Sequence, residues 1–279
     1  MWVGQQLADG LDFWGFLGSL ILGGIILGIY TGLLGYVGAK TGLSLDLLSQ
    51  RAFGEKGSYL PSAMTSFTQI GWFGVGSFVS GGTATPNFAR FAKNGKSGAI
   101  TTVVAFFIGN SLMFFFGAVS SIFVGGNDIF EVMVRLNLFY LAVLVLGLNI
   151  WTTNDNALYT AGLGLANIFH QRKKPMVLLS GIIGTVASVW LYYNFCGWLN
   201  ILNCTRPPVG MILVLAYFMN KEDFETDQPK LKTIDWFAVA GVILGAIVAN
   251  LLHWGIASIN GMVVAAVCYC VGQAVNKRK

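Results

Sequence analysis

The sequence predicts an all-α, polytopic integral membrane protein. Of its 279 residues, 55% are hydrophobic and only 10% are charged, whereas charged residues make up about a quarter of an ordinary water-soluble domain. The apolar runs are long enough to cross a bilayer as helices, and they lack the strict alternation that is typical of transmembrane β-strands. The composition therefore argues against a water-soluble enzyme, and we expect no enzymatic activity.

Seven windows are predicted to be full spans, because each contains a run of about 20 predominantly apolar residues. In chain order they are 13–38, 98–124, 138–168, 176–194, 196–219, 235–254 and 257–275. Within the first window, Gly24, Gly28 and Gly32 recur every four residues. This spacing places small residues on one helix face, where a neighbouring helix can approach closely.

The basic residues lie in loops between the spans rather than on one helix face, and we interpret them as a topology signal. They are Lys40, Arg51 and Lys56; Arg90, Lys93 and Lys96; Arg172, Lys173 and Lys174; and Lys277, Arg278 and Lys279. The positive-inside rule places these four regions in the cytoplasm. We therefore expect a multi-pass protein of the inner membrane with a cytoplasmic C-terminus, and no nucleic-acid partner despite the net charge of +5.

The segment 60–88 lies between the first two basic loops, so both of its ends are expected in the cytoplasm. A simple membrane span would violate that expectation. One alternative is a re-entrant hairpin that turns near 77–82, where Gly81 and Gly82 can break a helix. The other is a single straight helix, since about 20 residues suffice to cross the bilayer.

A cluster of polar residues directly follows the apolar stretch 138–148. Its members are Asn149, Thr152, Thr153, Asn154, Asp155 and Asn156. The hydrocarbon core of a bilayer offers no hydrogen bonds, so polar side chains at that depth must face protein, water or a ligand. The cluster therefore predicts a binding site. The alternative is a polar clamp between packed helices, a common role of Ser and Thr in membranes.

Seven segments spread along the chain carry a resemblance to a known family. They are 35–43, 68–76, 109–114, 147–159, 181–185, 197–199 and 207–210. Together they resemble the nucleobase–cation symporters over nearly the whole chain. The resemblance implies a LeuT-like fold of two inverted five-helix repeats followed by two more helices, with substrate and Na⁺ near the membrane midplane. It implies a monomeric permease for cytosine or a related nucleobase, coupled to sodium by symport, with no cofactor besides that ion.

The chain departs from this family in length. Family members have about 12 spans, and matching the segments leaves the start of the first helix and about ninety residues between Gly76 and Ser77 without a counterpart. At this junction the family's third helix is joined to its sixth. We treat 1–279 as a single transmembrane transporter domain. The alternative function is a transport-inactive remnant or a structural membrane subunit of the same family.

The resemblance implies a substrate site. Gln69 and Trp72 are three residues apart and share a helix face, and the matching family pair offers the base an amide and an aromatic wall. Ser77, Phe78 and Ser80 match the family's interrupted sixth helix, where the aromatic ring stacks on the planar base. Without the resemblance, these residues could equally be an interfacial Trp and ordinary packing residues.

The polar cluster divides into two roles by the same resemblance. Asn154 is expected to point its amide at the base, because reading a pyrimidine edge requires both a donor and an acceptor. Asn149, Thr152 and Thr153 are implied as the sodium ligands. Their spacing of i, i+3 and i+4 places three neutral oxygens on one helix face.

Arg206 stands where the family usually carries small apolar residues, just ahead of Pro207 and Pro208. A cation at membrane depth is costly and usually has a partner or a function. Two roles are open for Arg206: it plugs a substrate path, or it pairs with Asp155.

Overall fold

A computed structural model of the protein describes residues 12–75, 85–125, 129–226, 229, 231–252 and 254–277. The regular structure in these residues is helical, which confirms the predicted fold class. The helices are α1 (Phe13–Thr41), α2 (Leu45–Phe53), α3 (Tyr59–Val75), α4 (Pro86–Ala89), α5 (Gly95–Val104), α6 (Asn110–Val124), α7 (Ile129–Arg135), α8 (Phe139–Phe169), α9 (Lys173–Tyr193), α10 (Phe195–Met219), α11 (Lys221–Glu225), α12 (Trp236–Leu251) and α13 (Ala257–Lys277).

Each of the seven predicted windows is occupied by helix. Among the described residues, five helical stretches are long and apolar enough to cross a membrane: Phe13–Thr41, Gly95–Val124, Lys173–Leu191, Gly197–Met219 and Ala257–Val275. The apolar helix α12 is shorter, whereas α8 is 31 residues long and carries the polar cluster. The second stretch begins at Gly95 rather than at 98, because the Asn94 side chain caps the helix there, and it passes through a π-helical turn at Ala105–Gly109.

The glycine stripe of α1 packs this helix closely against α5 and the π-helical turn. A Cβ on Gly32 would lie 2.6 Å from a methyl group of Val103, and a Cβ on Gly24 would lie 3.0 Å from the ring of Phe107. Gly28 lies between them on the same face and is buried. The prediction that these glycines serve helix packing is therefore confirmed.

The basic loops meet at one end of the helix bundle, which we call the basic end. The segments that meet there are 42–58, 85–94, 170–172, 220–226 and 231–235. The backbone N–H of Glu55 donates to the carbonyl oxygen of Lys232 at 2.7 Å, which joins the loop after α2 to the loop before α12. The Leu45 N–H donates to the side chain of Asn87 at 2.8 Å. The first three of the four basic regions predicted to share one side of the membrane thus lie at one end of the molecule, whereas Arg278 and Lys279 of the fourth lie outside the described residues.

The segment between the first two basic loops returns to the basic end. The Ser62 hydroxyl, near the start of α3, donates to Asp46 of α2 at 2.6 Å, and Asn87 binds the adjacent residue Leu45. Between these two contacts, α3 runs on to Val75, about 20 Å from Ser62. The chain must therefore reverse direction after α3, so the single straight helix is wrong. The other alternative is the re-entrant hairpin, and its predicted turn near 77–82 lies outside the described residues.

The variants Lys56→Cys and Lys96→Cys are expected to react with a membrane-impermeant thiol reagent from the same side. Both lysines are exposed, and the chain between them leaves the basic end and returns to it. The measurement compares inside-out with right-side-out vesicles, in a background whose native cysteines are replaced by alanine. Labelling from opposite sides would contradict the reversal of the chain.

Candidate functional site

Helices α3 and α8 pack side by side in opposite directions. At the basic end, Asn167 donates to the Ser62 hydroxyl at 2.8 Å, and one turn further along α3 the Ser66 hydroxyl donates to the Ala161 carbonyl at 3.0 Å. A Cβ on Gly164 would lie 2.8 Å from the Ser62 carbonyl oxygen, so the two backbones approach closely. Each turn of α3 away from the basic end therefore corresponds to one turn of α8 towards its N-terminus.

This register places the backbone of Gln69 and Trp72 beside the stretch of α8 that contains Asn154 and Ala157. Asn154 is the central residue of α8, and it lies about 22 Å from either end of that helix. Gln69 and Asn154 thus both lie near the middle depth of the bundle, about one helical turn apart along its axis. The amide residues predicted for the substrate, 85 positions apart in sequence, belong to one region of the structure.

Asn154 presents a hydrogen-bond acceptor that the protein leaves unused. Its side chain is half-buried, and its Oδ1 atom is buried without a hydrogen-bond partner among the described residues. Gln69 is buried as well, with 7% of its surface exposed. A buried acceptor without a partner costs about 1 to 3 kcal/mol, and a ligand that donates an N–H group would remove that cost. The two amides together can offer donors and acceptors to a flat, polar ligand.

An aromatic residue that the sequence analysis did not assign stands beside this pair. The indole of Trp198, on α10, lies against Gly71, where a Cβ would be 2.6 Å from the indole Cε2 atom. Trp198 is only 2% exposed and belongs to the same apolar cluster as Ala157. The sequence feature that could have indicated this contact is Gly71, since a glycine often occurs where another group approaches the backbone closely.

The remaining residues implied for the substrate lie outside what the structure describes. Trp72 belongs to α3, but its side chain is not among the described ones. Ser77, Phe78 and Ser80 lie in the segment 76–84, which is also not described. Their roles in stacking and hydrogen bonding stay predictions.

The three residues implied for sodium follow one another on α8 but are not enclosed. Asn149 and Thr152 are exposed, and Thr153 is half-buried. The Thr152 hydroxyl donates to the carbonyl oxygens of Leu148 and Asn149, at 3.1 Å in both cases. Because the hydroxyl hydrogen points back along the helix, the lone pairs of the Thr152 hydroxyl oxygen remain free to accept a hydrogen bond or to coordinate a cation. The assignment of these three residues to sodium stays a prediction.

Arg206 lies elsewhere, at a cavity of about 420 Å³ between α1, α6, α10 and α13. Tyr30, Asn110 and Asn203 line this cavity together with Arg206, whereas Gln69 and Asn154 do not. Arg206 is buried and Asp155 is exposed on α8. The structure thus places the cation at a cavity separate from the α3–α8 site, and it lends no support to a pair with Asp155.

Comparisons with known proteins identify relatives of this chain. The profile of a family described as "Permease for cytosine/purines, uracil, thiamine, allantoin" matches residues 1–83 and 75–275. The chain is 36% identical to the cytosine permease of Escherichia coli (strain K12), over 372 aligned positions that cover 100% of this chain and 88% of that protein. It is 34% identical to the allantoin permease of Bacillus subtilis (strain 168), over 82 residues that cover 29% of this chain and 16% of that protein.

A solved structure shares the fold. A nucleobase-cation-symport-1 family transporter, in a closed conformation with bromovinylhydantoin bound, superimposes with a TM-score of 0.78 at 14% sequence identity. The superposition covers 97% of this chain and 87% of that one. At such low identity the match establishes the architecture alone.

The same comparisons locate an internal gap. The alignment with the Escherichia coli protein runs over 372 positions and holds the 279 residues of this chain, so 93 positions have no residue here. The two profile matches overlap at residues 75–83, which shows that the profile resumes at this point of the chain. The gap agrees with the junction predicted between Gly76 and Ser77.

Proposed function

The chain belongs to the family of permeases for cytosine/purines, uracil, thiamine and allantoin, and we propose that it binds cytosine or a related nucleobase between α3 and α8. The observation that carries this proposal is the buried Oδ1 of Asn154 at the middle of α8, which has no hydrogen-bond partner among the described residues. The buried residue Gln69 lies on the facing helix α3, about one helical turn from the level of Asn154. Cytosine matches this pair, because its amino group donates while its carbonyl and ring nitrogen accept.

Sodium is proposed as the coupling ion, with Asn149, Thr152 and Thr153 as its ligands on α8. Their oxygens are neutral and lie within two turns of Asn154, so ion and base would share one region near the midplane, as in transporters of this architecture. We further infer a monomer in the inner membrane with a cytoplasmic C-terminus. The gathering of the basic loops at one end of the bundle supports this orientation.

A second candidate function is that of a binding-competent but transport-inactive member of the family. The observation that favours it is the gap of 93 positions relative to the Escherichia coli permease. The residues assigned to the α3–α8 site, including Gln69 and Asn154, are present in this chain, whereas 93 positions of the aligned relative have no counterpart here. Under this second candidate function, the chain binds the base without transporting it.

Cytosine should raise the thermal unfolding midpoint of the purified chain, and the variants Trp72→Ala and Asn154→Ala should each weaken binding by roughly 1 to 3 kcal/mol. This is the scale of a lost aromatic stack or of a lost hydrogen bond to a buried amide. The measurement is the midpoint as a function of cytosine concentration in NaCl, repeated with KCl to test the sodium dependence.

The variant Gln50→Ala serves as a control, because Gln50 lies at the basic end and binds Asn167 rather than the α3–α8 site. It should lower the midpoint without changing the apparent affinity for cytosine. A cytosine-induced shift that is the same in wild type and in both site variants would refute the proposed site. Equal affinity in NaCl and KCl would remove sodium from the proposal while leaving the base site intact.

A further inference from the structure

Arg206 is a cation buried within a membrane-spanning helix, and the proposed nucleobase site does not use it. It lies on α10, about 16 Å along the helix from its start at Phe195. The residue is only 5% exposed. A guanidinium remains charged under all conditions that a folded protein tolerates. Because an ionised side chain at membrane depth is costly and usually marks a functional site, Arg206 indicates a second site in this chain.

The cavity that Arg206 lines lies in the half of the bundle remote from the basic end. Helices α1 and α10 both run towards the basic end, where Lys40 approaches Glu225 and Arg51 donates to the Asp223 carbonyl. The lining residues come from the earlier parts of these helices, within 19–30 of α1 and 199–207 of α10.

The cavity extends to the far end of the bundle. Helix α12 starts at the basic end, where the Asp235 N–H donates to the Phe53 carbonyl at 2.6 Å, and it runs away from that end. Ile256 belongs to the connection between α12 and α13, and it lines the same cavity as Arg206. A ligand can therefore approach Arg206 from the end opposite to the basic end.

The wall of this cavity combines one cation with mainly apolar groups. Arg206 is the single charged residue among the described residues that line it, and none of them is Asp or Glu. Most of the other lining residues are apolar, such as Leu20, Phe114 and Met262. Apolar surroundings strengthen the attraction between a cation and an anion, because they screen charge poorly. The lining therefore suits a ligand that carries one negative charge on an apolar body.

Neutral hydrogen-bonding groups lie on either side of Arg206 along α10. Asn203, one turn before it, shares its helix face and also lines the cavity. The Tyr30 hydroxyl reaches the same face one turn after it, since a Cβ on Gly210 would overlap that hydroxyl. Neutral groups such as these satisfy individual N–H donors without cancelling the charge of a guanidinium. The planar fork of donors on an arginine matches the two oxygens of a carboxylate.

We propose that this cavity binds a small organic carboxylate with an apolar body, and that the carboxylate pairs with Arg206. The volume of about 420 Å³ is nearly three times that of a cavity of roughly 150 Å³ that holds one benzene molecule. It therefore accommodates an aromatic ring together with a short carbon chain. The inference does not rest on nucleobase binding, because Gln69 and Asn154 do not line this cavity.

The role of the charge is tested by equilibrium dialysis of the chain in lipid nanodiscs, with empty nanodiscs as the blank. The probes are radiolabelled 4-phenylbutyrate and its neutral amide, which have nearly the same shape but differ in charge. Wild type should bind the carboxylate at least about tenfold more tightly than the amide, because charge-assisted hydrogen bonds are the stronger ones. Arg206→Gln should abolish this preference and leave the affinity for cytosine unchanged.

The variant Gly23→Leu tests the cavity without altering its charge, and it keeps the test open if Arg206→Gln does not fold. Gly23 lines the cavity, and a Cβ at this position has nothing within 4 Å, so the new side chain occupies empty space. It should weaken binding of 4-phenylbutyrate by about tenfold or more. Gly18→Leu is the matched control, because a Cβ on Gly18 also meets nothing within 4 Å and Gly18 does not line the cavity. It should leave binding unchanged.

Equal affinity of wild type for the two probes, or no binding of 4-phenylbutyrate above the blank, would overturn the proposal. Binding of 4-phenylbutyrate that is the same in wild type and Gly23→Leu would also overturn it. If wild type binds 4-phenylbutyrate as expected but does not bind cytosine, the proposed nucleobase site alone is refuted. The two proposals therefore fail independently.

Discussion

Sealed liposomes that contain this chain are expected to accumulate no more cytosine under an inward sodium gradient than empty liposomes. Alternating access in the LeuT-like architecture moves a bundle of the first, second, sixth and seventh helices against a scaffold that includes the third, fourth, eighth and ninth. The chain lacks 93 positions of its Escherichia coli relative. The break follows α3, which the resemblance matches to a scaffold helix, and the residues after the break match a helix of the bundle.

This direct connection restricts the motion that transport requires. Coupling requires a ligand that binds one of two conformations more tightly than the other. Two bodies joined by a short segment cannot move far relative to each other, so a second conformation is scarcely accessible to the chain. The Escherichia coli cytosine permease, reconstituted in the same way, is the positive control for the assay. Accumulation above empty liposomes that is abolished by Thr152→Ala would contradict the expectation and would establish full sodium symport.

The variant Gly164→Ala should destabilise the chain by about 1 to 3 kcal/mol, the usual cost of forcing an extra group into a tightly packed interface. A Cβ at this position would overlap the Ser66 hydroxyl and would lie 2.8 Å from the Ser62 carbonyl oxygen. The backbone oxygen cannot rotate away, so α3 and α8 would have to separate. The measurement is the thermal unfolding midpoint of the purified chain without ligand.

The matched control lies on the same helix. A Cβ on Gly147 has nothing within 4 Å, so Gly147→Ala introduces the same methyl group on α8 without a clash. Its unfolding midpoint should equal that of wild type or exceed it, because alanine favours the helix over glycine. Equal destabilisation by both substitutions would mean that the close packing of α3 against α8 is not what stabilises the chain.

The parts of the fold that could be predicted from the sequence are those that local patterns encode. Hydropathy windows located the helices, because a span requires a continuous apolar run. The spacing of Gly24, Gly28 and Gly32 indicated a close helix contact, and the contact with α5 confirms it. The basic loops indicated a shared side of the membrane, and they meet at one end of the bundle. Each of these signals lies within a short stretch of chain.

The parts that could not be predicted depend on contacts between distant residues. Nothing in the stretch around Asp46 indicates that Ser62 binds it or that Asn87, which is 42 residues from Leu45, caps the start of α2. Trp198 likewise becomes a neighbour of Gly71 only once α10 packs against α3. The polar cluster of α8 predicts a site, but only the packing of α3 against α8 places Gln69 within about one helical turn of the level of Asn154.

The most direct test of a retained nucleobase site in this shortened chain is equilibrium dialysis of the purified protein with radiolabelled cytosine. We predict saturable binding that approaches one cytosine per chain and that unlabelled cytosine displaces. The Asn154→Ala variant should need about tenfold more cytosine for half-saturation, the equivalent of about 1.4 kcal/mol. Binding that does not saturate, or that is the same in wild type and Asn154→Ala, would contradict the account.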